Sequence, residues 1–343
     1  MSNPRDLKED LRMTTRQHEH LIKPLNTGAM NWEDNEKLAS VIGPGNAKKE
    51  VWLNGQDHLE GMDFNFSWGI HNTLGDWHAG SKPHVHSYPE CLFFVGLDTA
   101  SVKYLGAEVE INLGKEQERC IFNEPTVVVI PSGLPHGPIT TKRLFSPRGF
   151  GFFAAALKAK FDITWLENRP DARQVESKGK YGHLVKSLKS GVITERGKFN
   201  ASRLTPEQLT RRKEMQRTGY KPGPGNADHL TWMYGKDLEG LGVNIAWGFC
   251  SQPGIWQRGV DAHAHPADEV LIFLGIDADK TDDLGAEIEI NLGKERERYL
   301  FNKSSAVVCP AGLPHAPIVT RWVDRPFAFI LINMAGDMTV SFE

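Results

Sequence analysis

The stretch Pro83-His84-Val85-His86-Ser87-Tyr88-Pro89-Glu90 recurs as Ala262-His263-Ala264-His265-Pro266-Ala267-Asp268-Glu269. Further along, His136 follows Glu90 at the same spacing at which His315 follows Glu269 (136−90 = 315−269 = 46). The offset is constant: 263−84, 265−86, 269−90 and 315−136 all equal 179. With 13 histidines in 343 residues, three matched His positions arise by chance roughly once in twenty thousand tries. The chain is therefore an internal duplication, and each copy carries three imidazoles and a carboxylate.

The repeat extends beyond these residues. Leu105 to Arg119 reads LGAEVEINLGKEQER and Leu284 to Arg298 reads LGAEIEINLGKERER; only Val109/Ile288 and Gln117/Arg296 differ. Pro131-Ser-Gly133-Leu-Pro135-His136 matches Pro310-Ala-Gly312-Leu-Pro314-His315. Asn65 and Trp68-Gly69 match Asn244 and Trp247-Gly248. GPGNA at Gly43 to Ala47 recurs at Gly223 to Ala227 with an offset of 180 (223−43), which marks His58 as the extra residue. His20-Leu-Ile-Lys-Pro-Leu25 is echoed more weakly by His183-Leu-Val-Lys-Ser-Leu188. A period this long is no solenoid; it means two domains of similar fold.

The chain is long enough for two cores. It is 40% hydrophobic and 24% charged, an ordinary soluble composition. A net charge of −3 gives no electrostatic case for nucleic acid or an anionic membrane. The start, MSNPRDLKEDLRMTTRQ, is too charged for a signal peptide, and no apolar run suits a membrane span. Cys91, Cys120, Cys250 and Cys309 have no CxxC spacing and suit reduced thiols, which places the protein in the cytoplasm.

Four units are expected. Residues 1–42 form an N-terminal arm with a helix, and 43–157 the first β core. Residues 158–222 form a partly helical connector, and 223–343 hold the second β core. Strands are expected over Cys91 to Val95, Ala107 to Leu113, Thr126 to Ile130 and Phe150 to Ala156, separated by Gly and Pro. Glu108, Glu110 and Asn112 alternate with Val109, Ile111 and Leu113, so this strand has one wet face. Gly114-Lys115-Glu116 then reads as a hairpin turn. In the connector, Leu184, Val185 and Leu188 have helical spacing, and Thr205-Pro206 reads as a helix start.

Residues i and i+2 of a strand share a face. His84 and His86 therefore project together, as do His263 and His265. Glu90 lies beyond a Tyr88-Pro89 turn, on the next strand, and faces the same interior. His136 follows a turn after Val127 to Ile130, and barrel closure brings it beside the first pair. The metal ligands expected are His84, His86, Glu90 and His136 in one copy, and His263, His265, Glu269 and His315 in the other. Imidazoles with one carboxylate suit a divalent transition metal (Fe, Mn, Zn, Ni or Cu), up to two per chain.

HxHxxxE followed by PxGxxH resembles the two-part motif of the cupins, small jelly-roll barrels, and the duplication resembles a bicupin. The resemblance covers both β cores. It implies an all-β fold: two tandem cupin-type jelly-roll (double-stranded β-helix) barrels with a partly helical connector and an N-terminal arm. The chain departs from the family pattern in ways that mark a divergent branch. Gly80 and Gly259 stand four residues before the first His where the family has six. Gly96 and Gly275 shorten the spacing after the Glu, and Thr140 and Val319 replace the usual Asn.

Around the motif, Leu92 and Phe94, like Leu271 and Phe273, share the carboxylate's face. Trp68/Trp247 and Trp77/Trp256 are candidate walls of an apolar pocket over the metals. Lys142 and Arg321 are candidate holders of a substrate carboxylate. Gln257 replaces His78 and Arg258 replaces Ala79, so the two mouths should differ. The resemblance implies a metal-dependent enzyme of dioxygenase or decarboxylase type, acting on a small, acidic or aromatic metabolite. The alternatives are a metal- or ligand-binding storage protein and a metal-dependent isomerase or lyase. Partners reduce to the small molecule itself, with the chain a monomer or homo-oligomer.

Overall fold

The computed structural model describes residues 16–31, 40–167, 179–195, 206, 227–256, 262–337 and 341–342. The described residues form four antiparallel sheets, two for each repeat. Each repeat folds as a jelly-roll barrel, with a seven-stranded sheet facing a six-stranded one. Three of the strands expected from the sequence, Ala107–Leu113, Thr126–Ile130 and Phe150–Ala156, have the expected bounds, and the fourth runs Glu90–Gly96. Ala107–Leu113 alternates buried and half-buried residues as its period requires. Its hairpin partner is Glu118–Phe122.

The central strands of the seven-stranded sheets are buried on both faces. In Glu90–Gly96, Leu92 and Phe94 point into the first barrel beside Trp77, while Cys91, Phe93 and Val95 belong to the core shared with the second barrel. Asn65–His71 and Asn244–Cys250 are likewise buried at every position. This corrects part of the pocket expectation. Trp68 and Trp247 pack on each other between the barrels, centroids 5.8 Å apart, and do not roof the metal sites. Trp77 and Trp256 are barrel-interior residues, each donating its indole N–H to a matched threonine, Thr141 at 2.9 Å and Thr320 at 2.6 Å.

The extra residue between the copies is His58. Gly55–His58 makes one α-helical turn where Gly235–Asp237 makes a shorter 3-10 turn, and Leu59 and Leu238 follow at the 179 offset.

The helical reading of Leu184, Val185 and Leu188 is wrong. Gly182–Leu184 and Leu188–Ser190 are 3-10 turns on either side of the strand Val185–Ser187. The arm repeats this pattern, with Glu19–Leu21, Ile22–Pro24 and Leu25–Gly28, and its described residues hold no α-helix. Helical spacing and this turn–strand–turn both bury Leu184 and Leu188, so spacing could not separate them. Thr205 lies outside the described residues. Each segment straps the barrels together. Ile22–Pro24 adds to Ser305–Cys309 of the second barrel, while Ala29–Asn31 adds to Lys49–Asn54 of the first. Val185–Ser187 adds to the first barrel and Val192–Glu195 to the second.

Tyr181 seats the second strap on the turn at Gly114. Its hydroxyl donates to Glu116 Oε2 at 2.8 Å. Gly114 has φ 74°, and a Cβ there would lie 2.2 Å from the Tyr181 ring. Gly114→Ala should therefore cost about 1–3 kcal/mol from backbone strain and a displaced strap. A urea midpoint equal to wild type would show that the turn tolerates the methyl group.

A buried pair distinguishes the first barrel from the second. Glu50 Oε1 lies 3.9 Å from His71 Nε2, and Trp52 donates to Glu50 Oε2 at 3.0 Å. The His71 ring stacks on Trp77 at 3.7 Å. The matched residues of the second barrel are Leu230 and Cys250. Burial pushes the Glu50 carboxyl up to about 7, with the Trp52 hydrogen bond pulling the other way. Burial pushes His71 down to about 3. A raised carboxyl contributes stability that is complete below its unfolded value near 4.5 and lost as pH rises through about 7. The depressed His71 works in the opposite sense, losing stability as pH falls below its ordinary value, so the wild-type profile alone is ambiguous. Comparing variants removes the His71 contribution to first order. Glu50→Gln should gain on wild type by on the order of 2 kcal/mol between pH 5 and pH 8. Melting curves at both values check this; a constant difference would show that Glu50 is already ionised at pH 5.

Candidate metal centres

In the first barrel, His84 opens the short strand His84–Val85, and His86 lies just past its end. His136 begins His136–Leu144 and is the direct cross-strand partner of His84. Glu90 begins its strand in the other sheet, paired with Ile130 and Ala156. The four side chains thus meet at one end of the barrel, where the two sheets approach. The PxGxxH turn ties the set together: Gly133 donates its N–H to the His86 carbonyl at 2.9 Å, and Gly312 does the same for His265 at 2.8 Å. Both glycines have positive φ, 74° and 80°, the left-handed region this turn needs.

One ring nitrogen each from His84, His86 and His136 lie within 4.8 Å of one another, and the same holds for His263, His265 and His315. All six are buried. Glu90 Oε1 stands 2.9 Å from His136 Nε2 and 3.5 Å from His86 Nε2. Glu269 Oε2 stands 3.1 Å from His315 Nε2 and 3.3 Å from His265 Nε2. The structure thus brings all eight sequence-predicted residues into two sets.

The second faces of the rings are engaged too. His136 Nδ1 lies 3.0 Å from the Leu134 carbonyl, and His315 Nδ1 lies 3.0 Å from that of Leu313. His86 Nδ1 contacts the Asp162 carbonyl. These contacts fix ring orientation and leave Nε2 of each of these rings facing the carboxylate. Burial, then the neighbouring histidines, holds His84 far below its ordinary value; burial and His315 hold His263 at about 3. Burial works against charge on Glu269, but His265 and His315 bring it down to about 2. His136 and His86 likewise outweigh burial at Glu90 and hold it below its ordinary value. Burial opposes charge on His315, yet Cys309 and Glu269 hold it above the ordinary value.

A divalent cation fits these donors. His84 and His263, held uncharged, and Glu90 and Glu269, held ionised, are in the protonation states a metal needs, while His315 would give up its proton on binding one. His84 Nδ1 is buried without a hydrogen bond, as is Glu269 Oε1 in the second set, while Glu90 Oε1 and His136 Nε2 face each other as an ion pair. Buried polar atoms left bare in this way call for a ligand.

Lys142 and Arg321 do not reach the sites. Both are exposed on the outer sheet, Lys142 3.6 Å from Glu110 and Arg321 donating to Glu289 at 2.6 Å. An acidic residue on the neighbouring strand satisfies each. Gln257 and Arg258 lie outside the described residues. The groups that cover the first site carry no mark in the sequence. Thr164–Trp165 pairs with His84–Val85 and sets the Trp165 ring 5.1 Å from that of His84. Phe161 lies 5.4 Å from His86, Tyr88 stacks on His86 at 5.1 Å, and Asp162 accepts from Ser87 N at 3.0 Å. A strand of two residues leaves no periodicity to read. In the second barrel, Ser341–Phe342 pairs with His263–Ala264 in the same register.

No protein-family model matches the chain, and no curated protein matches it in sequence. Solved structures do match it in fold. A structure of Bacillus subtilis oxalate decarboxylase, determined to assign its Mn(II) centres, has a TM-score of 0.54 at 9% identity, covering 92% of this chain and 78% of that one. A deletion variant of the same enzyme gives the same figures. Its structure at pH 4.6 has a TM-score of 0.51 at 11% identity, with the same coverage. The likeness shows the fold, two tandem jelly-roll barrels. Among the described residues, no helix is long and apolar enough to cross a membrane.

Proposed function

We infer that the chain is a metal-dependent bicupin enzyme of decarboxylase type, acting on a small carboxylic acid, with one divalent ion in each barrel. His84, His86, Glu90 and His136 hold one ion; His263, His265, Glu269 and His315 hold the other. The observation that carries the reading is the pair of buried three-histidine sets, each with an adjoining ionised carboxylate and bare polar atoms. A storage protein has no use for two such sets, whose burial costs stability unless something binds them. The bound ion supplies a Lewis acid that polarises substrate oxygens. The protein's own residues orient the histidine rings that would hold it, through the Leu134, Leu313 and Asp162 carbonyls, and shield the first site with Phe161, Tyr88 and Trp165. The fold neighbours act on oxalate, so oxalate heads the substrates to try.

Protein purified without chelator should hold two metal equivalents per chain by elemental analysis. Loaded with Mn(II), it should release CO2 from oxalate or another small carboxylic acid. Iron together with O2 uptake would move the assignment to a dioxygenase. Absence of bound metal after growth in metal-supplemented medium would overturn the reading.

A further inference from the structure

The first barrel carries a fourth histidine beside its metal set. The His78 ring lies 5.5 Å from that of His84 and 5.2 Å from that of Trp165. The residue is half-buried, yet its Nδ1 atom is out of solvent and has no hydrogen-bond partner. His78 is not among the three residues whose nitrogens converge within 4.8 Å, so it stands beside that set and not in it.

Its position is fixed from both sides. Trp77 N donates to the Ile139 carbonyl at 2.9 Å, and Gly43 N donates to the Trp77 carbonyl at 2.8 Å. Ala79 N donates to the Val41 carbonyl at 3.0 Å, and Ser81 N to the His78 carbonyl at 3.1 Å. Asp76 is held on both carboxylate oxygens, by the Thr140 and Ser81 hydroxyls. The second barrel has Ile255 and Val319 where the first has Asp76 and Thr140, and Gln257 where it has His78. The polar anchor and the imidazole are therefore features of one copy only. A histidine filling space would have no need of an anchored loop, and a bare buried nitrogen costs stability unless a ligand meets it.

We propose that His78 is a substrate-contacting residue of the first site, its ring N–H donating to a carboxylate oxygen of a small acid held at His84, His86 and His136. The two barrels are then unequal: both hold metal, and the first has the additional group that grips an acid. This rests on the metal reading above. A carboxylate is the fitting partner because its oxygens can meet the ion and accept from the ring at once.

The test uses the full chain loaded with Mn(II) and acetate as the carboxylate. Acetate binding is followed by the Mn(II) electron paramagnetic resonance line shape, and metal content by elemental analysis. His78→Gln gives the first barrel the residue of the second, and His78→Phe keeps the ring without its nitrogens. Both variants should retain two Mn(II) equivalents and the wild-type melting temperature. Acetate affinity at one of the two centres should fall about tenfold. Unchanged acetate affinity at both centres overturns the proposal. Loss of one Mn(II) equivalent overturns it too, since it would make His78 a ligand. Failure of the unmodified chain to bind Mn(II) overturns the metal reading itself and this proposal with it.

Discussion

His84→Ala combined with His86→Ala should remove one metal equivalent, and His263→Ala combined with His265→Ala should remove the other. The two ligand sets lie in different barrels and share no residue, so the losses should add. Ligand binding stabilises the state that binds it, by about 2.7 kcal/mol when free ligand is a hundred times its dissociation constant. Each double variant should therefore melt below wild type in metal-containing buffer. A chelator separates this effect from packing. With the metal stripped from all proteins, most of the difference should vanish, because only metal linkage depends on free ion. If turnover belongs to the first site, its double variant should lose activity by several orders of magnitude, while the second keeps the chemistry on a less stable chain. A double variant that retains two full equivalents would show that these histidines are not the ligands.

The parts of this protein legible in its sequence are those written by short, repeated rules. The β core was legible because Ala107 to Leu113 alternates strictly and Gly and Pro punctuate the runs. The eight candidate ligands were legible as a set because one spacing of three histidines and a glutamate recurs in both copies, which chance rarely produces. What the sequence concealed depends on partners far along the chain. Ile22–Pro24 is a strand only because the edge of Ser305–Cys309 lies beside it, and three residues carry no period. Lys142 and Arg321 are matched cations near the motif, but strand direction turns them outward to Glu110 and Glu289. Trp68 and Trp247 read as pocket residues because an aromatic near a motif suggests a wall; burial on both faces of the central strands of the seven-stranded sheets decides otherwise. His78 carries a fainter mark: it lies close to the motif, and the second copy replaces it with Gln257. That substitution says the mouths differ, but only the fold shows the ring beside His84.

Trp247→Ala should be among the most destabilising single changes in the chain, costing about 3–5 kcal/mol. Trp247 is 2% exposed and packs on Trp68 at 5.8 Å, Phe153 at 5.9 Å and Phe249 at 5.3 Å. Two of those partners belong to the other barrel, so the cavity would open in the core that joins them. The surrounding sheets are paired along their length and cannot easily collapse into the space, which puts the cost toward the upper end of the range. With the whole chain melting as one unit, the melting temperature should fall by about 4–7 °C. Trp322→Ala serves as the contrast, since that indole is 39% exposed on the outer sheet and should cost under about 1 kcal/mol. Calorimetry tests the coupling as well as the size. Because one core spans both barrels and the straps cross between them, the variant should lower a single shared transition. Two transitions, with only the second barrel's shifted, would mean that the barrels fold independently and that Trp247 stabilises just one of them.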